Sequence, residues 1–113
     1  MQVQAKQVGK VAILILNGRF DADTAPIVEN YVRGCIDKGF IQIVMDLADV
    51  PFIASAGLRV ILATTKELRQ SLGGNLHVSS LQAGPLKVFE ISGLTNVMKL
   101  FTNVDLAASS FAK

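Results

Sequence analysis

The stretch Asp46-Leu47-Ala48-Asp49-Val50-Pro51-Phe52-Ile53-Ala54-Ser55-Ala56-Gly57-Leu58-Arg59-Val60 joins two regular elements of different period. Before it, residues 41–47 form a short apolar run with Asp46 at its end, the pattern of a strand buried on both faces. After it, Leu58, Ile61, Leu62, Thr65, Leu68 and Leu72 recur at helical spacing. Lys66, Glu67, Arg69 and Gln70 fill the opposite, wet side. Ser55 stands where the period changes and reads as the N-cap, a side-chain oxygen for the orphan N–H groups of the first turn. Strand, short connection, helix is the first part of a βαβ unit.

Working outward, Gly73-Gly74 stops this helix and residues 76–79 read as a third inner strand. On the other side, residues 11–16 are continuously aliphatic, enough for a covered strand and far short of the roughly 20 residues that span a bilayer. Met1, Val3 and Ala5 alternate with polar residues as in a half-exposed strand, and Gly9-Lys10 can turn it into the next one. Thr24 is a candidate N-cap with Pro26 in the first turn. Beyond it Ile27, Val28, Tyr31, Val32, Cys35 and Ile36 share a face opposite Glu29, Asn30, Arg33 and Asp37, and Gly39 closes the helix. A helix over 85–92 closed by Gly93, a short strand over 97–101 and a last helix over 104–111 complete the chain. The fold class is α/β, a mixed and mostly parallel sheet packed against helices and entered through an antiparallel hairpin. The 113 residues suit one domain over 1–113.

Composition narrows the function classes. Eleven basic and nine acidic side chains leave a charge of +2 spread along the chain, so the basic cluster that tracks phosphates is missing and no nucleic-acid partner is expected. Cys35 is the only cysteine, which precludes an internal disulfide and points to a reducing, cytoplasmic setting. The first residues alternate in polarity without a hydrophobic signal region, so neither export nor membrane insertion is expected. Half the residues are hydrophobic, enough to build a core without metal or disulfides.

The chemistry-bearing residues point away from catalysis. No dinucleotide or Walker A loop is present, and no cofactor is expected. One histidine and one cysteine, far apart, offer no metal-ligand spacing. His77 lies mid-strand and reads as structural, and Cys35 on an apolar helix face reads as core. Asp21, Asp23 and Asp46 resemble the carboxylates of a phospho-aspartate receiver. Only one helix separates Asp23 from Asp46, where that topology needs two helices and a strand. A serine at a strand-to-helix turn also suggests a hydrolase nucleophile elbow, yet Ile53 stands where that motif has glycine. A small serine hydrolase is therefore the weaker alternative.

Three motifs together resemble STAS domains, in particular the stand-alone anti-sigma factor antagonists. They are Gly18-Arg19-Phe20-Asp21 running into Thr24-Ala25-Pro26, then Asp46-Leu47 with Phe52-Ile53-Ala54-Ser55-Ala56-Gly57-Leu58, then Val88-Phe89-Glu90-Ile91-Ser92-Gly93-Leu94. The likeness runs from about Val3 to Phe111. It implies a regulatory binding protein without catalysis of its own. In that family the unmodified domain binds a serine-kinase anti-sigma factor and frees the sigma factor. The kinase phosphorylates the serine at the helix start, which weakens binding, and a metal-dependent serine phosphatase reverses it. Carried over, Ser55 is the acceptor, and Arg19, Asp21, Asp23, Thr24, Ala54, Ala56, Gly57 and Arg59 form the partner-binding surface of a domain that is monomeric alone. Many phosphorylated members have aspartate where this chain has Ala54. That departure leaves open a non-phosphorylated adaptor in a lipid-transport or stress-signalling complex.

Overall fold

β1 (Gln2–Val8) and β2 (Val11–Asn17) form the expected hairpin, closed by Gly9-Lys10 with Gly9 at φ 59°. The computed structural model describes residues 1–112. β2 then leads through α1 (Ala25–Asp37) to β3 (Gln42–Asp49), through α2 (Ser55–Glu67) to β4 (Asn75–Ser79), and through α3 (Ala83–Ser92) to β5 (Leu100–Phe101), with α4 (Val104–Ser109) last. The sheet order is β1-β2-β3-β4-β5, antiparallel at the first pair and parallel elsewhere. Each crossover steps one strand in the same direction, and right-handed crossovers then place all three connecting helices on one face. The core agrees: Leu14, Leu16, Ile43, Met45, Leu47, Leu76 and Val78 of the strands meet Val28 and Val32 of α1, Val60 and Ile61 of α2 and Phe89 of α3. Burial of each such large side chain contributes roughly 1.5–3 kcal/mol.

The opposite face is covered by α4. Val11, Ile13 and Val44 meet Ala107 there, with Val104, Ala108 and Phe111 packed alongside. His77 belongs to this second face. Its Nδ1 donates to the Ala107 carbonyl at 2.9 Å, and its ring stacks on Phe111 with centroids 3.7 Å apart. The histidine is structural, as expected, and its work is to fasten the C-terminal helix to the sheet.

Several sequence expectations shift in detail. Ser55 is the first helical residue of α2, and the N-cap position belongs to Ala54, whose methyl cannot accept a hydrogen bond. Thr24 does occupy the N-cap position of α1, but its side chain makes no cap bond to that helix. The buried stripe of α2 is Gly57, Val60, Ile61, Thr64 and Thr65, continuing to Leu68, while Leu58 and Leu62 sit on its shoulder and Leu72 is exposed. α2 passes into a π-helical turn at Leu68–Leu72. Gly73 then turns left-handed at φ 75° and Gly74 N–H returns to the Leu68 carbonyl at 2.8 Å. Gly74 also lies against the Ile41 carbonyl so closely that a Cβ there would collide with backbone. The expected strand over 97–101 shortens to Leu100–Phe101, because Leu94–Asn96 forms a 3-10 turn that buries Leu94 and Met98. The last helix ends at Ser109 and tightens into a 3-10 turn. Asp46 lies inside β3 and not at its end.

Candidate functional site

The ends of β2, β3 and β4 point to the same edge of the sheet, and two of the three sequence motifs meet there. Gly18, at φ 122°, turns the chain out of β2, and its N–H donates to the Asp49 carbonyl at 3.0 Å. Two residues on, Phe20 N–H donates to the Phe52 carbonyl at 3.0 Å, and Ala54 N–H donates back to the Phe20 carbonyl at 2.9 Å. This parallel bridge between Phe20 and Ile53 extends the sheet past its regular end and stitches loop 18–24 to the start of α2. Phe20 is fully buried beneath the junction. Gly57, in the first turn of α2, lies over it: a Cβ at Gly57 would stand 2.8 Å from the Phe20 carbonyl oxygen and 2.9 Å from its ring. Gly57 is buried, so it contributes a close approach of backbone and not a contact with anything outside.

Hydrogen bonds within residues 19–25 hold the loop. Asp21 Oδ1 accepts the N–H groups of Asp23 at 3.1 Å and Thr24 at 3.2 Å, an Asx turn. The Thr24 hydroxyl accepts from Asp21 N–H at 2.9 Å and donates to the Arg19 carbonyl at 2.7 Å. It thus reaches backward into the loop, which explains why it leaves the helix uncapped. Partial loss of water pushes the Asp21 carboxyl up, but the hydrogen bonds from Thr24 and Asp23, aided by Arg19, outweigh it and hold the group below its ordinary value. Arg19 lies 4.2 Å over the ring of Phe52, with its Nε 3.6 Å from Asp21 Oδ2. Asp23 is exposed.

Ser55 is exposed and its hydroxyl makes no hydrogen bond among the described residues. The Ala54 carbonyl accepts the N–H groups of Gly57 at 3.0 Å and Leu58 at 3.2 Å. The N–H groups of Ser55 and Ala56 have no acceptor among the described residues, so the helix start presents free donors beside a free hydroxyl. From this point a groove of about 630 Å³ runs between α1 and α2, lined by Ala22, Ala25, Ala56, Arg59 and Val60, among others. Arg33 and Glu67 bridge the two helices at 2.7 Å beside it. Arg19, Asp21, Asp23, Thr24, Ala54, Ala56 and Arg59 all lie on this end of the molecule or along the groove. Phe52 joins them: it is 40% exposed and supports Arg19, and its sequence signal was its place in the motif beside Ile53-Ala54-Ser55.

The remaining candidates lie elsewhere. His77 sits on the sheet face opposite α2, so it and Ser55 do not form a nucleophile–base pair. Desolvation, with Lys99 and Arg69 nearby, lowers its pKa despite the bond to Ala107. Cys35 is buried in the core, where desolvation raises its thiol pKa and keeps it protonated. Asp46 Oδ1 accepts from Ala48 N–H at 3.1 Å, a local bond within β3. Among the described residues no cluster of three or more His, Cys, Asp or Glu side chains is placed to hold a metal, and no helix is long and apolar enough to cross a membrane.

Residues 2–107 match the family model of the STAS domain. BtrV of Bordetella bronchiseptica, provisionally named an anti-sigma factor antagonist, is 32% identical over 111 residues, 98% of this chain and 95% of that one. A crystal structure from Thermotoga maritima with the same provisional name superposes with a TM-score of 0.91 at 25% identity, over 98% of this chain and 95% of the other. The anti-sigma factor antagonist SpoIIAA in its unphosphorylated form shares the fold at a TM-score of 0.75 and 17% identity, over 98% and 97% of the two chains. SpoIIAA from Bacillus has also been solved phosphorylated, and that structure matches with a TM-score of 0.75 at 20% identity, over 97% and 99%.

Proposed function

This chain belongs to the STAS domain family, and from that membership we propose that it acts inside the cell as an anti-sigma factor antagonist. Unmodified, it binds a serine-kinase anti-sigma factor through loop 18–24 and the start of α2, and the sigma factor is released. Phosphorylation of Ser55 by that kinase weakens the complex, and a metal-dependent serine phosphatase restores it. The domain itself is a binding module and catalyses nothing. The likeness to BtrV along nearly the whole chain supports this reading. The observation that carries it is the junction itself, where backbone bonds bring the Asp21 loop to the exposed Ser55 at the head of α2.

The electrostatics suit a switch. A phosphoserine adds about −1.5 to −2 charges at pH 7. The free N–H groups of Ser55 and Ala56 and the positive end of the helix dipole favour that charge without any refolding. The same charge lies beside Asp21 on the partner-facing surface, so an acidic or apolar partner patch that fitted the neutral serine is repelled or left poorly desolvated. Incubation with ATP and the kinase recovered from the native host should add one phosphate, and Ser55→Ala should abolish it. Phosphate found chiefly on Ser79, Ser80 or Ser92 would defeat the assignment.

Ala54 favours a second reading. Its methyl removes the acidic neighbour that the acceptor has in many phosphorylated members, which fits a STAS adaptor that docks by the same surface and is never modified. Affinity purification separates the two: a serine kinase recovered with the chain supports the first, transporter or stress-complex subunits the second.

A further inference from the structure

The sheet has two unpaired edges, and they differ. β5 is two residues long, whereas β1 presents seven, Gln2–Val8, with no strand paired on its outer side among the described residues. Natural edge strands are protected by proline, charged side chains (lysine above all), a bulge or shortness. β1 has no proline, pairs with β2 in unbroken register from Gln2↔Asn17 to Val8↔Val11, and carries one charge, Lys6. From this edge we propose that β1 pairs antiparallel with β1 of a second copy, joining two five-stranded sheets into one of ten strands. This departs from a domain that is monomeric alone and does not depend on the role of Ser55.

The hairpin sets the register. With a two-residue turn, Val8 and Val11 form the hydrogen-bonded closing pair, so Val8, Lys6, Gln4 and Gln2 spend their backbone groups on β2. Val3, Ala5 and Gln7 therefore turn their N–H and C=O groups outward. A two-fold axis at Ala5 makes these groups self-complementary, because Ala5 meets Ala5 of the second copy and Val3 meets its Gln7. Side chains agree with that register. Lys6 falls opposite Gln4 of the other copy, so the like charges do not face each other, whereas an axis at Lys6 would oppose them directly. Ala5 at the axis leaves room for the approach. Beside the edge, α1 exposes Ile27 and Tyr31, 39% and 41% accessible, and a groove of about 430 Å³ separates Tyr31 and Cys35 from Ala5 and Gln7. Apolar surface thus flanks the strand on the helix side. The axis is perpendicular to the strands, so the two Ser55 ends point in opposite directions and both stay open.

Sedimentation equilibrium of the wild-type chain should show the mean mass rising from 12.1 kDa toward twice that value between roughly 10 and 500 µM. Ala5→Pro removes an outward N–H and no ladder bond, and Ala5→Lys sets two like charges on the axis. Each should weaken association at least about tenfold, with the melting temperature held within about 3 °C as proof of folding. Under mild oxidation Ala5→Cys should cross-link to itself, and Val3→Cys should cross-link to Gln7→Cys in a mixture but not to itself. A chain that stays monomeric over the whole range overturns the proposal. So does a dimer that both Ala5 variants leave intact, or cross-linking at Val3→Cys alone.

Discussion

Gly57→Ala is the sharpest probe of the junction, because the same exchange elsewhere in the chain should have the opposite sign. An added Cβ at Gly57 would stand 2.8 Å from the Phe20 carbonyl and 2.9 Å from its ring, and backbone cannot yield as a side-chain tip does. Overpacking of this kind costs about 1–3 kcal/mol. Alanine returns about 0.5–1 kcal/mol in helix propensity, so the net change runs from about zero to a loss of about 2.5 kcal/mol. For 113 residues at about 2.1 cal/mol/K each, the unfolding entropy is about 0.24 kcal/mol/K, which makes the fall at most about 10 °C. Gly34, in α1, has nothing within 4 Å of its would-be Cβ and takes no left-handed angle. Gly34→Ala should gain the propensity alone and rise by about 2–4 °C. Scanning calorimetry gives both values, and amide shifts locate the strain, which should centre on residues 18–24 and 52–57. Equal stabilisation by the two alanines would show that Gly57 is under no steric demand, and the account of how the two motifs are held would be wrong.

Other expectations follow from single contacts. Ala54→Asp places an acceptor at the empty N-cap of α2 and should stabilise the chain by about 0.5–2 kcal/mol in urea denaturation; under the phosphorylation reading it should also change the rate of Ser55 modification more than affinity for the kinase. Phosphorylation of Ser55 should shift the melting temperature by no more than about 5 °C, since its hydroxyl makes no bond to lose and a charge at the helix start is worth about 0.3–1 kcal/mol. A large drop, or shift changes spread through β4, would mean that the domain refolds on modification. His77 is neutral in the fold because desolvation lowers its pKa, while the unfolded chain takes up that proton near pH 6.5. The neutral-histidine contribution is therefore complete above about pH 6.5 and is lost as pH falls below it, toward the lower folded value. Comparing stability against pH for wild type and His77→Phe isolates this slope, and identical slopes between pH 5 and 7 would exclude it. Asp21→Lys should weaken binding of the kinase in calorimetry while leaving the chain folded, and unchanged affinity would remove loop 18–24 from the partner surface.

Element types were legible in the sequence because they depend on near neighbours. Residues 11–16, and residues 41–47 apart from Gln42 and Asp46, are too apolar for a wet surface and too short for a buried helix, and the turns between elements carry Gly9, Gly18, Gly39, Gly73 and Gly93, every one at positive φ. Alternation then led to a mostly parallel sheet. The helix stripes were legible only in part. Periodicity marked Ile61, Thr65 and Leu68 of α2 as inward, and they are buried; Leu58 and Leu62 pack against the core only in part, while Gly57, Val60 and Thr64 are buried without that signal, Gly57 because it has no Cβ to meet Phe20.

Which side chain does what at the head of a helix was decided only by tertiary structure. Ser55 and Thr24 both have the chemistry of an N-cap. Neither caps, because Ala54 is held in the extended conformation by its bond to Phe20 and the Thr24 hydroxyl is claimed by Asp21 and Arg19. Those partners lie across a chain reversal, and their positions follow from β2 and β3 being neighbours in a particular register. Local composition sets the period of each element. The meeting of Gly18-Arg19-Phe20-Asp21 with Ile53-Ala54-Ser55, on which the exposure of Ser55 depends, exists only once two strands more than twenty residues apart have paired.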